Sequence, residues 1–179
     1  MGHSWSGIRK RLEQDLLCAS LRGRVQYFLT HYHGAPDEYG RFAVRLDGRE
    51  IIFANPYHDM DVSRTADRLK RDLGETRNWY QLLEEDRERY DEIFRLADRR
   101  CIERNTMEIY HFTDALREYL QAPVQESIRS ENPAVRMFAV LDRRIGKRTL
   151  TRLSGTVSHQ PEWLQPLYRA RLSVENISY

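Results

Sequence analysis

Residues 41–54, RFAVRLDGREIIFA, contain the pattern that decides the fold. The dipeptide Asp47-Gly48 favours a two-residue type I′ turn, because both residue types accept the positive φ that this turn needs. With that turn, the expected partners across the hairpin are Leu46 with Arg49, Arg45 with Glu50, Val44 with Ile51, and Phe42 with Phe53. The large apolar side chains then share one face, so the segment predicts a β-hairpin with one buried side.

The segments on both sides of the hairpin predict one further strand and several helices. Apolar and polar residues alternate after Gly23, which predicts a strand beside the hairpin. Upstream, apolar residues recur at helical spacing over residues 5–18. Downstream, the same spacing predicts helices over about 62–73, 77–102, 107–121 and from Asn132-Pro133 onward, with a last helix after Pro161.

These elements together predict an α+β fold. It consists of an N-terminal helix, a small antiparallel sheet of about three strands with its hairpin turn at 47–48, and a helical C-terminal two-thirds that covers one sheet face. A length of 179 residues suits a single domain, 1–179, with the helix and hairpin sheet in 1–58 and the helical part in 59–179.

Charge and composition narrow the classes of function. The net charge of +2 is too small for a generic nucleic-acid binder, although residues 133–179 carry eight cations and three anions, a local excess of +5. Cys18 and Cys101 are far apart, which predicts neither a disulfide scaffold nor a zinc site. No apolar run is long enough for a signal peptide or a membrane span, so we expect a cytoplasmic protein without membrane contact.

A basic cluster stands out in the C-terminal region: Arg143, Arg144, Lys147 and Arg148. One unbroken helix over 133–153 would place Arg152 among the apolar side chains, so we expect a break at Gly146. Arg143 and Arg144 would then end one helix, where cations are favourable, and the other two would begin the next, where they are not. A solvated helix end, recognition of an acidic protein and recognition of a nucleic acid or phosphate all remain open.

Histidines provide two further candidate sites. His31, His33, His58, Asp59 and Asp61 contain metal-ligand types, but no third ligand stands at a diagnostic spacing, so surface histidines are the simpler interpretation.

The segment RNTMEIYH, from Arg104 to His111, loosely resembles the Arg-polar-spacer-His signature of HEPN ribonucleases. Those domains are entirely helical, whereas this chain predicts a sheet. The simpler interpretation of His111 is a residue on the surface or at the cap of a helix.

Two longer stretches resemble a family of small, uncharacterised bacterial proteins. They are SWSGIRKRLEQDLLCASLRGRVQYFLTHYH near the start and NPAVRMFAVLDRRIGKRTL near the end. Members of this family open with Trp-Ser, a basic helix and a Gly-Arg-Val strand, and carry Leu-Asp-Arg-Arg-(Val/Ile)-Gly-Lys-Arg near the C-terminus. The resemblance covers residues 4 to about 172 and implies no particular activity.

The sequence therefore predicts a non-enzymatic binding or interaction protein with an unknown protein partner. Its expected contact residues are Arg143, Arg144, Lys147 and Arg148, and we expect no catalytic residues, no metal and no cofactor. The alternative is nucleic-acid binding or processing through the same cluster, with Arg104 and His111 as further participants. The sequence does not indicate an oligomeric state.

Overall fold

The computed structural model describes residues 4–31 and 40–179. Its elements follow in this order: α1 (Trp5–Lys10), a π-helical turn (Arg11–Leu16), a 3-10 turn (Ala19–Leu21), β1 (Val25–His31), β2 (Gly40–Leu46), β3 (Arg49–Phe53), α2 (His58–Asp72), α3 (Trp79–Glu85), α4 (Arg87–Glu103), α5 (Ile109–Gln121), α6 (Val124–Ser127), α7 (Pro133–Leu141), α8 (Lys147–Ser154), a 3-10 turn (Val157–His159) and α9 (Gln165–Val174). The α+β class predicted from the sequence is confirmed.

The hairpin forms at the predicted turn but with a different register beyond it. Asp47 and Gly48 have φ values of 52° and 80°, as a type I′ turn requires. Leu46 pairs with Arg49 and Arg45 with Glu50 as expected, but a bulge between Val44 and Arg45 shifts the rest. The observed pairs are Val44 with Ile52 and Ala43 with Phe53, so the predicted pairs Val44–Ile51 and Phe42–Phe53 are wrong. The bulge leaves Phe53 partly exposed, while Phe42 is fully buried.

The three strands form an antiparallel sheet in the order β1-β2-β3. Its inner face packs on α5 and α7 through a chain of aromatic rings. Phe42 stacks on Phe112 with centroids 4.9 Å apart, and Tyr27 stacks on Phe138 at 5.6 Å. On the free edge of β1, the carboxylate of Glu13 accepts the backbone N–H of Tyr27 at 2.9 Å, which covers part of that edge.

The long helix predicted over 77–102 is two helices, α3 and α4. The chain leaves helical geometry at Asp86, whose φ of −151° and ψ of 71° lie outside the helical region. The Asp86 carboxylate accepts the N–H of Arg89 at 3.1 Å and so caps α4. The interruption therefore comes from a capping residue, which the 3.6-residue periodicity of the flanking segments conceals.

The described residues contain two clusters of buried apolar side chains. The larger one draws on both the sheet part and the C-terminal helices. The smaller one belongs to α2, α3 and α4 and consists of Ala66, Leu69, Leu82, Ile93 and Ala97. The proposed division into 1–58 and 59–179 stays a prediction. Across 4–31 and 40–179, every helix is too short or too polar to cross a membrane.

Candidate functional sites

The predicted break in the C-terminal region exists, and it begins earlier than expected. Helix α7 ends at Leu141, and α8 begins at Lys147 with Gly146 as its N-cap. Arg143 and Arg144 therefore lie in the turn between the helices and not in the last turn of α7. The prediction that they stabilise the C-terminal end of α7 through the helix dipole is therefore wrong.

The turn is held by the buried carboxylate of Asp142. Its Oδ2 accepts the Tyr119 hydroxyl at 2.5 Å, and the Arg144 Nη2 donates to the same oxygen at 2.6 Å. The backbone N–H of Arg144 also donates to Asp142 Oδ1 at 2.7 Å. The hydrogen bonds to Asp142 raise the pKa of the Arg144 guanidinium above its usual range. Arg144 is thus part of the structural support of the turn.

Backbone hydrogen bonds attach the same turn to the N-terminal segment. Cys18 N–H donates to Leu141 O at 2.9 Å, and Arg143 N–H donates to Leu16 O at 2.8 Å. On the other side, the buried Arg171 donates from Nη2 to Ile145 O at 3.1 Å and pairs with Glu175. The stretch LDRRIGKR is therefore hydrogen-bonded both to the N-terminal segment and to α9.

The other cations of the region point to solvent. Arg143, Lys147 and Arg148 are exposed, and no carboxylate of the described residues forms an ion pair with them. Arg152 is exposed as well. It lies on the same side of α8 as Lys147 and Arg148, because positions i, i+1 and i+5 fall within less than half of the circumference of a helix. We call Arg143, Lys147, Arg148 and Arg152 the basic surface.

A second site, which the sequence did not indicate as a unit, consists of His58, Asp98 and His111. The Nε2 atoms of both histidines lie 2.9 Å from the same oxygen, Oδ1 of Asp98. His58 is completely buried and His111 nearly so, while about a third of the Asp98 side chain is exposed. We call these three residues the His–Asp–His cluster.

The remaining nitrogens of the two rings have opposite partners. His58 Nδ1 faces the carbonyl oxygen of Thr106 at 3.0 Å, so it must donate a proton. His111 Nδ1 accepts the backbone N–H of Glu108 at 3.0 Å, so it must be unprotonated. Because a neutral imidazole carries one proton, His111 then donates from Nε2 to Asp98.

The charged groups of the cluster shift one another's ionisation. Burial opposes a charge on His58, but its hydrogen bond to Asp98 and the attraction of that carboxylate outweigh burial and raise the pKa of His58. Burial likewise opposes the charge on Asp98, yet the hydrogen bonds from both rings lower the pKa of that carboxyl group. Burial raises the pKa of the neighbouring Glu108 and Tyr110. The cluster thus favours a charged His58 beside an ionised Asp98.

The donor atoms of this cluster are of types that bind metals, but their geometry suits protons better. Atoms that bind one tetrahedral zinc at about 2.1 Å lie about 3.4 Å apart, whereas the nitrogen–oxygen distances here are 2.9 Å. In addition, the N–H of Glu108 occupies the Nδ1 lone pair of His111, so Nε2 carries the proton that a metal would have to replace.

Of the histidines weighed from the sequence, His58 is completely buried, so the surface position expected for it is wrong. His58 is bound to Asp98 and not to Asp59 or Asp61, while His33 and the side chain of His31 lie outside the described residues. Arg104 ends α4 at the surface, and no hydrogen bond among the described residues joins it to His111. The missed residue, Asp98, comes from α4, and only the tertiary fold brings it to His58 of α2 and His111 of α5.

A large cleft of about 1370 Å³ lies along the outer edge of β3 and the segment before α9. Most of that edge is already occupied. Asn105 donates from Nδ2 to Ile51 O at 3.1 Å, and Ala54 forms a bridge with Met107. An added strand would find few free backbone groups here, and the cleft walls mix acidic and basic side chains without a dominant charge.

The model of the SF0329 protein family matches residues 4–172, which is all but the first three and the last seven of the 179 residues. No curated protein and no solved structure matches this chain.

Proposed function

The chain belongs to the SF0329 protein family, and we propose that it is a non-enzymatic, cytoplasmic binding protein that recognises an acidic protein partner through its basic surface. One observation carries the proposal: Lys147 and Arg148 are exposed and unpaired among the described residues, at the start of a helix where positive charge is unfavourable. The bacterial origin expected for the family, and the recurrence of the 141–148 motif in its members, stay predictions.

The placement of these cations favours binding over stability. The N-terminus of a helix carries a partial positive charge, and each cation there costs roughly 0.3–1 kcal/mol. The first turn of α8 contains no acidic residue, and Gly146 offers no side-chain cap. Residues that reduce the stability of their own helix, directly after a turn that Asp142 supports, are suited to contact an anionic partner.

A protein surface fits this site better than a nucleic acid. Exposed guanidinium groups such as those of Arg143, Arg148 and Arg152 can bind carboxylates through paired hydrogen bonds. Domains that bind nucleic acids without sequence preference have a basic stripe and a pI above about 9. This chain has a pI of about 8.6 and only four cations on the basic surface, which suits a short acidic segment.

The first experiment measures binding of three labelled polymers by fluorescence anisotropy at low salt. One is a peptide of alternating Glu and Ser, and the others are a DNA duplex and a single-stranded RNA of the same charge. We expect the full chain to bind the acidic peptide. Preferential binding of DNA or RNA, with an affinity that falls steeply with salt, would replace this proposal with the nucleic-acid alternative. Absence of binding to all three polymers would refute both.

A matched pair of variants tests the location. Lys147→Glu combined with Arg148→Glu should reduce peptide binding at least tenfold, about 1.4 kcal/mol, because two contacts become repulsive. The control is Arg64→Glu combined with Arg68→Glu, which changes the net charge equally at exposed positions of α2. Equal losses in both variants would show that only the net charge matters and that the basic surface is not the site.

A further inference from the structure

The hydrogen bonds of His58 require a positive charge on a completely buried ring. Both ring nitrogens face acceptors: Nδ1 faces the Thr106 carbonyl, and Nε2 faces the Asp98 carboxylate. A neutral imidazole satisfies only one acceptor, because its other nitrogen presents a lone pair. His111 cannot supply a proton to His58, since its single proton already bonds to Asp98.

The surroundings of His58 also favour the charged form. The charges of Asp98 in α4 and of Glu108, just before α5, favour the protonated ring, and Asp59 and Asp61 follow His58 in the first turn of α2. The rings of Tyr110 and the neutral His111 complete the enclosure, with centroids 6.3 and 4.4 Å from that of His58. His58 is also the first residue of α2, where the helix dipole disfavours a cation, so Asp98 is the main source of compensation.

The cluster lies between the two groups of buried apolar side chains, to both of which α4 contributes. Helices α2, α3 and α4 share the smaller apolar cluster, whereas Met107 and Phe112, close to Thr106 and His111 in sequence, belong to the larger one. His58 connects the start of α2 to α4 through Asp98 and to the turn before α5 through Thr106. Loss of its charge therefore weakens the attachment of the first turn of α2 to the rest of the protein.

We propose that the His–Asp–His cluster is a pH-sensitive switch in which protonated His58 holds the start of α2 against α4 and the turn before α5, and loss of that proton releases it. When the proton leaves, either the Thr106 carbonyl loses its donor or a nitrogen lone pair faces Asp98. Both outcomes favour opening of the first turn of α2, whose exposed side chains Tyr57 and Met60 flank His58.

The direction of the pH effect follows from linkage. The pKa of His58 is higher in the closed state than its usual 6.5, so the closed state binds the proton more tightly. The stabilisation is complete below pH 6.5 and is lost as the pH rises through the closed-state pKa. Between these limits, the opening equilibrium should increase with pH, by at most about tenfold per pH unit for one proton, and above the closed-state pKa it should level off.

The first test is NMR of the full chain with labelled histidines. We expect both nitrogens of His58 to be protonated at pH 6, with a midpoint above 6.5, and His111 to remain an Nε2–H tautomer. Asp98→Asn should lower the His58 midpoint below that of the parent chain. The matched control, Asp91→Asn, removes an exposed carboxylate of the same helix that pairs with Arg87 and should leave the midpoint unchanged. A neutral His58 at pH 6 would refute the proposal.

The second test follows hydrogen exchange of the α2 amides at Asp61 and Val62 from pH 6 to 9, corrected for intrinsic exchange. Opening should follow the NMR midpoint of His58, while amides of α7 such as Phe138 show no such dependence. Pure global unfolding would affect both helices equally and would contradict a local switch.

Addition of Zn²⁺ or Co²⁺ provides the last check: stoichiometric binding that removes the His58 and His111 protons would show a metal site in place of the switch.

Discussion

The two candidate regions are built around similar carboxylates and differ in what surrounds them. Asp98 accepts hydrogen bonds from His58 and His111, and Asp142 accepts them from Tyr119 and Arg144. Around Asp98 the histidine donors are buried and fully used. Around Asp142 the carboxylate is buried, while further cations next to it remain exposed and without partners among the described residues.

Because of this difference, the His–Asp–His cluster changes its charge with pH, whereas the basic surface offers positive charge to a partner. At Asp98, burial makes the charge of one histidine depend on a single neighbour, so a small change in pH alters local stability. At Asp142, the carboxylate fixes the direction of the chain, and the nearby cations of the basic surface face solvent. The first arrangement is suited to regulation and the second to recognition.

The largest effect is expected for Asp142→Asn. In the parent chain, the Tyr119 hydroxyl and three nitrogens of Arg144 donate to the two carboxylate oxygens. The asparagine side chain has only one oxygen to accept these bonds, and its NH₂ group would face another donor. We expect a loss of about 3 kcal/mol in the free energy of unfolding, measured with urea. The control, Asp114→Asn in an exposed pair with Arg117, should change it by less than about 1 kcal/mol. Similar values for the two variants would contradict the structural role of Asp142.

Asp98→Asn should cost less and, unlike Asp142→Asn, its cost should depend on pH. At pH 6 we expect a loss of about 2 kcal/mol, because His58 loses its counter-ion in a buried position. The cost should shrink as the pH rises through the raised pKa of His58, where the parent chain also loses the ion pair. It should shrink at low pH too, as Asp98 becomes protonated below its lowered pKa. Urea unfolding at a series of pH values measures this, and a constant difference from pH 5 to 9 would contradict it.

Charge reversal on α8 should increase the free energy of unfolding, whereas the two preceding substitutions should decrease it. Lys147→Glu with Arg148→Glu places acidic groups at the start of a helix, so we expect a gain of roughly 0.3–1 kcal/mol per position at low ionic strength. The same change at the end of α2, Lys70→Glu with Arg71→Glu, should destabilise the protein, because cations are favourable there. Thermal unfolding of both variants checks the sign. A loss at α8 would mean that these cations stabilise the fold and would weaken the case for a binding role.

The fold was largely predictable because its signals are local. The Asp47-Gly48 turn, the Asn132-Pro133 helix start and the spacing of apolar residues each depend on near neighbours. The errors arose where one residue overrides a periodic pattern. Asp86 interrupts a helix that the apolar spacing would continue, and the bulge at Val44 and Arg45 shifts the strand pairing by one residue.

The sites were less predictable because they depend on residues far apart in the chain. Asp98 stands 40 positions from His58 and 13 from His111, so no spacing rule connects them. Within the basic cluster, the sequence treats Arg143 and Arg144 as equivalent. Both residues are exposed, and only the ion pair with the buried Asp142 shows that Arg144 supports the turn, whereas Arg143 forms no ion pair among the described residues.

The smallest effect on the free energy of unfolding is expected at Gly146, a backbone position next to the basic surface. Glycine there predicts a special conformation, yet its φ of −78° and ψ of 162° suit any residue, and an added Cβ would contact nothing within 4 Å. Gly146→Ser should therefore cap α8 and stabilise the protein by a few tenths of a kcal/mol. Gly48→Ser, at a φ of 80°, should cost about 1 kcal/mol. Calorimetric unfolding distinguishes them, and a comparable loss at both positions would mean that the chain needs a glycine at 146 and that α8 does not begin as described.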